Sequence, residues 1–589
     1  MEAARSLPRL TAPPWLDDSE LRIGLGCMRL STAEERDEEL GVRTIAAAVD
    51  AGITVFDTAR TYGRDASELG HNERLLARAL RRAGAGQRAR IVTKGGMARP
   101  DGGWRADGRA RTIRADCEAS LEALDGLPID LYLVHAPDPR TAWRTTVRAL
   151  GRLVEEGLVR SVGVSNVNRA QLDEALEHAP VRAVEVALSV LDVTALRGGI
   201  VDRCEEHGIA LLAHSPLGGP GRARRLDRLD DVRVVADRHA ATPAEIALAW
   251  LLDLQPTIVA LPGARTPEAA RSVARAAHLR LEAEDRAILA QTVDAPSPRR
   301  PRKHARAGDV VVVMGIPGAG KSRVAGDFVA RGYLRLNRDE RGGTLRELAT
   351  ALDESLGAGV RHVVLDNTYL TRAARSFVVE AAARHDVATR CLCLDTPLAQ
   401  AQVNLAERFL EVLGSLPSPE ELRARAREPG LVAPTSQMRA LRELEEPDLD
   451  EGFAAVERVA FVREPAAGRE AVGVLVAAAA LERPGWEAVL DGCDPDATHL
   501  LFDWRPDDAV ERLDDAAARL AGHVRGVVET ALCPHPAGPP VCWCRPPLPG
   551  LAVAFAARHG VDLTRSTVVG TSPAHRTLAT ALGAHAVLV

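Results

Sequence analysis

A chain of 589 residues exceeds what one hydrophobic core supports and predicts three or four domains. Hydrophobic residues at 46% and charged residues at 26% exclude a disordered chain, and aromatics at 3% leave the cores to Ala, Val and Leu. A formal net charge of −6 excludes a protein that coats nucleic acid through a uniformly basic surface, but not one with a local basic groove.

In chain order, eight short β-rich runs alternate with helical stretches: LRIGLG, ITVFD, ARIVTK, DLYLVH, VRSVGVSN, RAVEVAL, IALLAHS and TIVALPG. Residues 1–298 are therefore expected to close into a (β/α)8 TIM barrel, whose chemistry sits at the C-terminal strand ends because the loops there are free to vary. Asp57, Lys94 and His135 fall at the ends of the second, third and fourth strands, and Tyr62 lies in the loop after the second.

These four residues, in FDTARTYG, VTKGG and LVHAPD, resemble the catalytic tetrad of the aldo-keto reductases, and the resemblance runs over about the first 298 residues. A carbonyl that accepts hydride needs a proton on its oxygen, and free tyrosine, with a pKa near ~10, gives one slowly. A buried Lys94 ammonium, paired to Asp57, is expected to stabilise the Tyr62 phenolate and lower that pKa, while His135 orients the carbonyl. The resemblance implies NADPH. Ser165 and Asn166 in GVSN match its carboxamide-binding positions, and Arg265 in LPGART suits an adenosine phosphate. The family's glutamine is Glu185 here, its stacking tyrosine is His214, and an expected asparagine is Val273. The aldehyde is either a small molecule or one borne on nucleic acid.

The stretch PSPRRPRKHAR predicts an exposed basic linker at residues 299–308. Then DVVVVMGIPGAGKS places a buried strand before Gly315, Gly318, Gly320, Lys321 and Ser322 in the pattern GxxxxGK[ST]. Such a loop wraps backbone N–H groups around ATP phosphates, Lys321 neutralises their charge and Ser322 ligates Mg²⁺. Asp339 in GYLRLNRDERG is placed to take a proton from an acceptor hydroxyl, and RHVVLDNTYLTRAAR ends a further strand at Asp366. The succession over residues 309–465 resembles the kinase domain of the polynucleotide kinase/phosphatase family. That resemblance makes Asp339 the general base and gives Arg338 or Arg341 the acceptor phosphate. Asp366 would stand beside the magnesium or support the acceptor site, and Arg408 in NLAERF falls near the lid arginine.

Nine cysteines, odd in number and mostly scattered, with no signal-peptide pattern and no apolar run long enough to cross a bilayer, predict a reducing, cytoplasmic compartment and no membrane partner. Cys391 and Cys393 read as core, whereas Cys533, His535, Cys542 and Cys544 form a CxH...CxC cluster with the ligands of a structural zinc site. Residues 466–589 resemble the zinc-loop branch of haloacid-dehalogenase (HAD)-type phosphatases, a Rossmannoid α/β fold. The carboxylates of that family are missing: Ala477 and Ala479 stand for its aspartates, Asp503 for its hydroxyl residue, Pro546 for its lysine, and Thr571 and His575 for its metal-binding aspartates. A pseudophosphatase is expected. The whole is read as an α/β multidomain protein phosphorylating DNA or RNA 5'-hydroxyl ends in nucleic-acid end repair. The alternatives are a small-molecule alcohol as phosphate acceptor, and terminal domains that serve as binding modules around the kinase.

Overall fold

The computed structural model describes residues 15–17, 19–293, 308–425, 428–463, 468–505, 510–538 and 540–589. It divides into two compact units, residues 1–299 and 300–589. Of the expected linker, residues 299–307 lie outside the described residues, and so does the expected junction at 465 and 466.

The first unit is a parallel barrel of β1 (Gly24–Gly26), β2 (Val55–Asp57), β3 (Arg90–Gly95), β4 (Leu131–Val134), β5 (Val162–Ser165), β6 (Val181–Ala187), β7 (Ala210–His214) and β8 (Ile258–Leu261), hydrogen-bonded in sequence order. Parallel bridges Ile23↔Ala260 and Gly26↔Gly263 join the first strand to the last. Side chains alternate across each strand, so the inward series is read by twos. Val55, Val92, Ala183 and Leu212 fill the barrel interior. Two residues further along the same strands, the same face presents Asp57, Lys94, Glu185 and His214. Gly163 sits where the β5–β6 register shifts, and a side chain there would strike the Ala183 carbonyl. The outer helices start on local signals. In one, Thr242 caps the helix Pro243–Leu254 through a reciprocal bond with Glu245, with Pro243 at the first position.

The second unit holds two parallel sheets. One comprises β9 (Asp309–Met314), β10 (Leu334–Leu336), β11 (His362–Asp366), β12 (Ala388–Asp395) and β13 (Ala455–Ala460), in the order β10-β11-β9-β12-β13. The other comprises β14 (Gly473–Ala477), β15 (Thr498–Trp504), β16 (Val528–Cys533), β17 (Thr567–Gly570) and β18 (His585–Leu588), in the order β16-β15-β14-β17-β18. In both, the central strand comes first in sequence and is flanked on either side by a later one, which opens a crevice beyond its C-terminal end.

These sheets share a core. The helix Leu398–Leu413 buries Val403 and Ala406 against Leu475, Val553 and Phe555 of the second sheet layer. Its neighbouring face buries Leu405 and Phe409 against Trp543, whose indole N–H donates to the Val432 carbonyl at 2.9 Å. Cys391 and Cys393 are buried on β12, as a core reading requires. No helix among the described residues is long and apolar enough to cross a membrane.

Trp543 is fully buried. Trp543→Ala is expected to destabilise the chain by about 3–5 kcal/mol in denaturant unfolding. A cost under about 1 kcal/mol would mean that the shared core is not formed in solution.

Candidate functional sites

At the C-terminal mouth of the barrel, the Lys94 side chain is fully buried. Its ammonium donates to Asp57 Oδ1 and to the Thr58 carbonyl at 3.1 Å, and Glu185 Oε2 lies at 3.1 Å. Burial pushes the Asp57 carboxyl up to about 7, the Glu185 charge adding to the effect and Lys94 opposing it; burial raises Glu185 as well. The Tyr62 ring lies with its centroid 5.4 Å from Lys94 Nζ. Its phenol is pushed above its ordinary value, first by burial, while Lys94 pulls it down and the two carboxylates push it up. The lowering expected from Lys94 is therefore present but outweighed.

The His135 ring meets Tyr62 edge-on at 5.8 Å, with Nδ1 3.4 Å from Thr61 Oγ1. Burial and the nearby Lys94 charge pull His135 down to about 3, so it is a neutral hydrogen-bonding group. His214 is lowered to about 4, again first by burial, and its Nε2 lies 3.1 Å from Asn166 Oδ1. Asn166, held at a φ of 55°, also donates to the His135 carbonyl at 2.9 Å and to Ser165 Oγ at 3.1 Å. Arg265 is exposed just before the helix Pro267–Ala276, donating to the Glu35 carbonyl at 3.1 Å, and Val273 is buried in that helix.

Sequence reasoning passed over Trp104. A short hairpin after β3, Met97–Ala98 paired with Arg105–Ala106, carries this tryptophan over the site, 6.3 Å from Tyr62 and 5.6 Å from His135 between ring centroids. Arg99 stacks on it at 4.0 Å, and it remains 47% exposed, a flat wall beside the proton donor.

In the second unit the loop from Gly315 to Gly320 joins β9 to the helix Lys321–Ala330. Gly318, at a φ of 85°, has no room for a side chain, which would strike the Ala401 carbonyl. Three side chains pin the loop's carbonyls: Gln437 donates to Pro317 O at 2.9 Å, Asn404 to Gly318 O at 2.8 Å and Thr396 to Ala319 O at 2.9 Å. Lys321 folds back on the Gly315 and Ile316 carbonyls at 3.0 and 2.9 Å. Burial draws its ammonium down to about 8, with Asp366 and Asp339 opposing and Arg408 assisting.

Around this loop opens a cleft of about 1620 Å³ lined by Lys321, Ser322, Arg338, Asp339, Asp366 and Arg408; Arg341 lies outside it. Arg439, Arg463 and Arg469 add further cationic lining that sequence reasoning had passed over. Asp366 is buried and already engaged, by Arg335 at 3.0 and 2.6 Å and by Asn337 at 2.9 Å. Asn337 Oδ1 also accepts from the Asp339 backbone N–H at 2.6 Å, which links Asp366 to Asp339 through one side chain. Fully buried Arg375 clamps the loop after β11, donating to the Tyr369 carbonyl at 3.0 Å and forking onto Glu451 at 2.8 and 2.6 Å.

Cys533, His535, Cys542 and Cys544 bring their donor atoms within 4.8 Å of one another. The separations are 3.7 Å for Cys533 to Cys542, 3.6 Å for Cys533 to His535 and 3.2 Å for His535 to Cys544. A tetrahedral zinc with bonds of about 2.3 Å to sulfur and 2.0 Å to nitrogen needs edges of roughly 3.8 and 3.5 Å, so the set fits that ion. At the end of the central strand β14 stand Ala477 and the 3-10 turn Ala478–Glu482, while the Thr571 N–H donates to His575 Nδ1 at 3.0 Å. Asp503 is tied to Arg505 at 2.6 Å. No carboxylate pair stands at the expected Ala477/Ala479 or Thr571/His575 positions.

The family described as "Aldo/keto reductase family" matches residues 22–294, and the one described as "AAA domain" matches residues 310–426. A protein named "Probable aldo-keto reductase 1" from Glycine max is 33% identical over 273 residues, spanning 41% of this chain and 76% of that protein. An aldo-keto reductase of Strobilurus tenacellus is 29% identical over 323 residues, spanning 48% and 92%. Among solved structures, an aldo/keto reductase from Klebsiella pneumoniae in complex with NADP and acetate is 26% identical with a TM-score of 0.41, covering 48% of this chain and 94% of its own.

The neutral state of His135 can be checked directly. Its imidazole, assigned by comparison with His135→Asn in histidine-labelled NMR spectra, is expected to show no titration between about pH 5 and pH 8, unlike a free histidine near ~6.5. A midpoint inside that range would contradict the buried site.

Proposed function

The chain belongs to the aldo/keto reductase family through residues 22–294, with an ATP-binding P-loop domain of AAA type following in the same chain; from that premise we propose an NADPH-dependent carbonyl reductase joined to a polynucleotide 5'-hydroxyl kinase. The observation that carries the reductase is the convergence of Tyr62, His135, Lys94 and Asp57 at one barrel mouth. NADPH, when bound, supplies the hydride. Exposed Arg265 at a helix N-terminus suits its adenosine phosphate, and Asn166 with Ser165 suits its carboxamide. Neutral His135 holds the carbonyl oxygen by a hydrogen bond, and Tyr62 gives that oxygen its proton. Lys94 and Asp57 carry the charge that remains. Trp104 walls the substrate space and favours an aldehyde on a flat or cyclic group.

For the P-loop domain, Lys321 and Ser322 hold the ATP phosphates, and magnesium, when bound, screens their charge. Asp339 takes the proton of the incoming hydroxyl. Arg338 holds an acceptor phosphate and Arg408 the transferring one. The cleft of about 1620 Å³ exceeds the ~300–1,000 Å³ of a single small-ligand pocket, and its arginines suit an acceptor that carries phosphates of its own. A 5'-hydroxyl DNA or RNA end fits that chemistry better than a small neutral alcohol. The residues from 466 onward are read as a HAD-like pseudophosphatase domain, its Cys3His loop closed by structural zinc.

Tyr62→Phe is expected to lower NADPH-dependent aldehyde reduction by about 10²–10⁴-fold in kcat with little change in cofactor affinity; an undiminished rate would remove Tyr62 from the mechanism. Transfer of labelled γ-phosphate to a 5'-hydroxyl oligonucleotide is expected to vanish in Asp339→Asn while ATP still binds. Transfer to glycerol or a free sugar, but to neither strand, would replace the polynucleotide with a small alcohol. Metal analysis is expected to find one zinc per chain, lost in Cys542→Ser/Cys544→Ser; a metal-free wild-type chain would refute the zinc site.

A further inference from the structure

We propose that Glu185 is a positioning residue that competes with Tyr62 for the Lys94 ammonium, so that ionisation of the Asp57–Glu185 pair sets the upper pH limit of carbonyl reduction. The activity arm of this inference rests on the reductase reading above; the geometry stands by itself. An ammonium has three N–H groups to give. Lys94 donates to Asp57 Oδ1 and to the Thr58 carbonyl at 3.1 Å, and Glu185 Oε2, buried without a hydrogen bond of its own, stands 3.1 Å from the ammonium as a rival to Tyr62 for the third N–H. The three charged side chains are all but sealed, with exposures of 0% for Lys94, 6% for Asp57 and 3% for Glu185.

One cation against two carboxylates leaves the buried cluster short of a positive charge. The other titratable groups around it do not supply one. His135 from the end of β4 and His214 from β7 are both held neutral, and Cys27 after β1, its thiol pushed up by burial, stays protonated. The remaining way to neutralise the cluster is a proton on the carboxylate pair. Burial, with the mutual repulsion of the two carboxylates, keeps that proton bound up to about pH 7, where the Asp57 carboxyl titrates.

Below that pH the cluster is neutral and Lys94 is free to turn its third N–H to Tyr62. Above it both carboxylates are charged, Glu185 competes for the third N–H, and the pair adds a net negative charge facing the phenolate. The step governed in this way is the breaking of the Tyr62 O–H bond as its proton passes to the carbonyl oxygen, whose carbon has received the hydride. The phenolate left behind is stabilised by Lys94 in the first state and opposed by Glu185 in the second.

The test uses the full chain and the isosteric Glu185→Gln. Wild-type kcat/KM for aldehyde reduction is expected to fall about tenfold per pH unit above ~7, whereas Glu185→Gln stays level across that range and is about tenfold faster near pH 8. Phenolate absorbance, taken as the difference between each protein and the same protein carrying Tyr62→Phe, is expected to appear at least about one pH unit lower in Glu185→Gln than in wild type. A wild-type profile flat to about pH 9 overturns the proposal without any variant. It is also overturned by a Glu185→Gln that loses rate equally at every pH, or by an unshifted phenolate titration. If no aldehyde is reduced by the wild type, the phenolate titration decides alone: a shift sustains the role of Glu185 and removes the reductase reading, and no shift ends both.

Discussion

A lysine ammonium taken out of water is stable only while anions hold it, and in this barrel two carboxylates do so. Lys94 on β3, Asp57 on β2 and Glu185 on β6 close one buried cluster at the barrel mouth. The fold makes this arrangement possible because eight parallel strands turn every second side chain inward, apolar at the base and charged at the rim. The rest of the site follows from that charge. It adds to the burial that holds His135 neutral, opposes the burial that raises Tyr62, and gives the mouth a fully buried cation. Replacing any member by a neutral residue changes the charge seen by the other two, so the three act as a unit.

The second unit solves a different problem with backbone. Phosphate is bound by N–H groups, and N–H groups point inward only if the carbonyls of the same loop are held elsewhere. Gln437, Asn404 and Thr396 do this from three separate segments of chain. One of those segments, the helix Leu398–Leu413, packs on Trp543 of the Cys3His loop, whose indole also binds the Val432 carbonyl just before the helix Pro434–Glu443. The Cys3His loop is thus coupled by packing to the wall of the phosphate cleft, which Leu405, Leu431 and Val432 line.

The barrel, the P-loop and the four-ligand cluster were legible because each has a short-range signature: strand ends at regular intervals, glycines at fixed offsets, and thiols with a histidine two residues from one of them. Asp57, Lys94 and His135 could be placed by strand position alone. The partners of those residues were not legible. Glu185 was read as a cofactor contact, and its pairing with Lys94 depends on β3 and β6 presenting the same inward register across the barrel. Arg335 sits in plain sight in GYLRLNRDE, yet its fork onto Asp366 spans 31 residues, and the fork of Arg375 onto Glu451 spans 76. Trp104 belongs to no motif and becomes meaningful only when a two-residue hairpin folds it over Tyr62. Arg341, two positions beyond Asp339, reads as an acceptor contact in the sequence, whereas of the short helix Arg338–Arg341 it is Arg338 and Asp339 that line the cleft.

The central claim is that the charged barrel mouth performs hydride transfer to a carbonyl. A single-turnover reaction tests it most directly: the full chain is mixed with NADPH deuterated at the transferable position and an aromatic aldehyde, and the alcohol is weighed by mass spectrometry. The account predicts an alcohol heavier by one deuterium, formed in stoichiometric amount with the chain. An aldehyde recovered unchanged from a chain saturated with NADPH would contradict it and leave the barrel a binding module with a buried charge cluster.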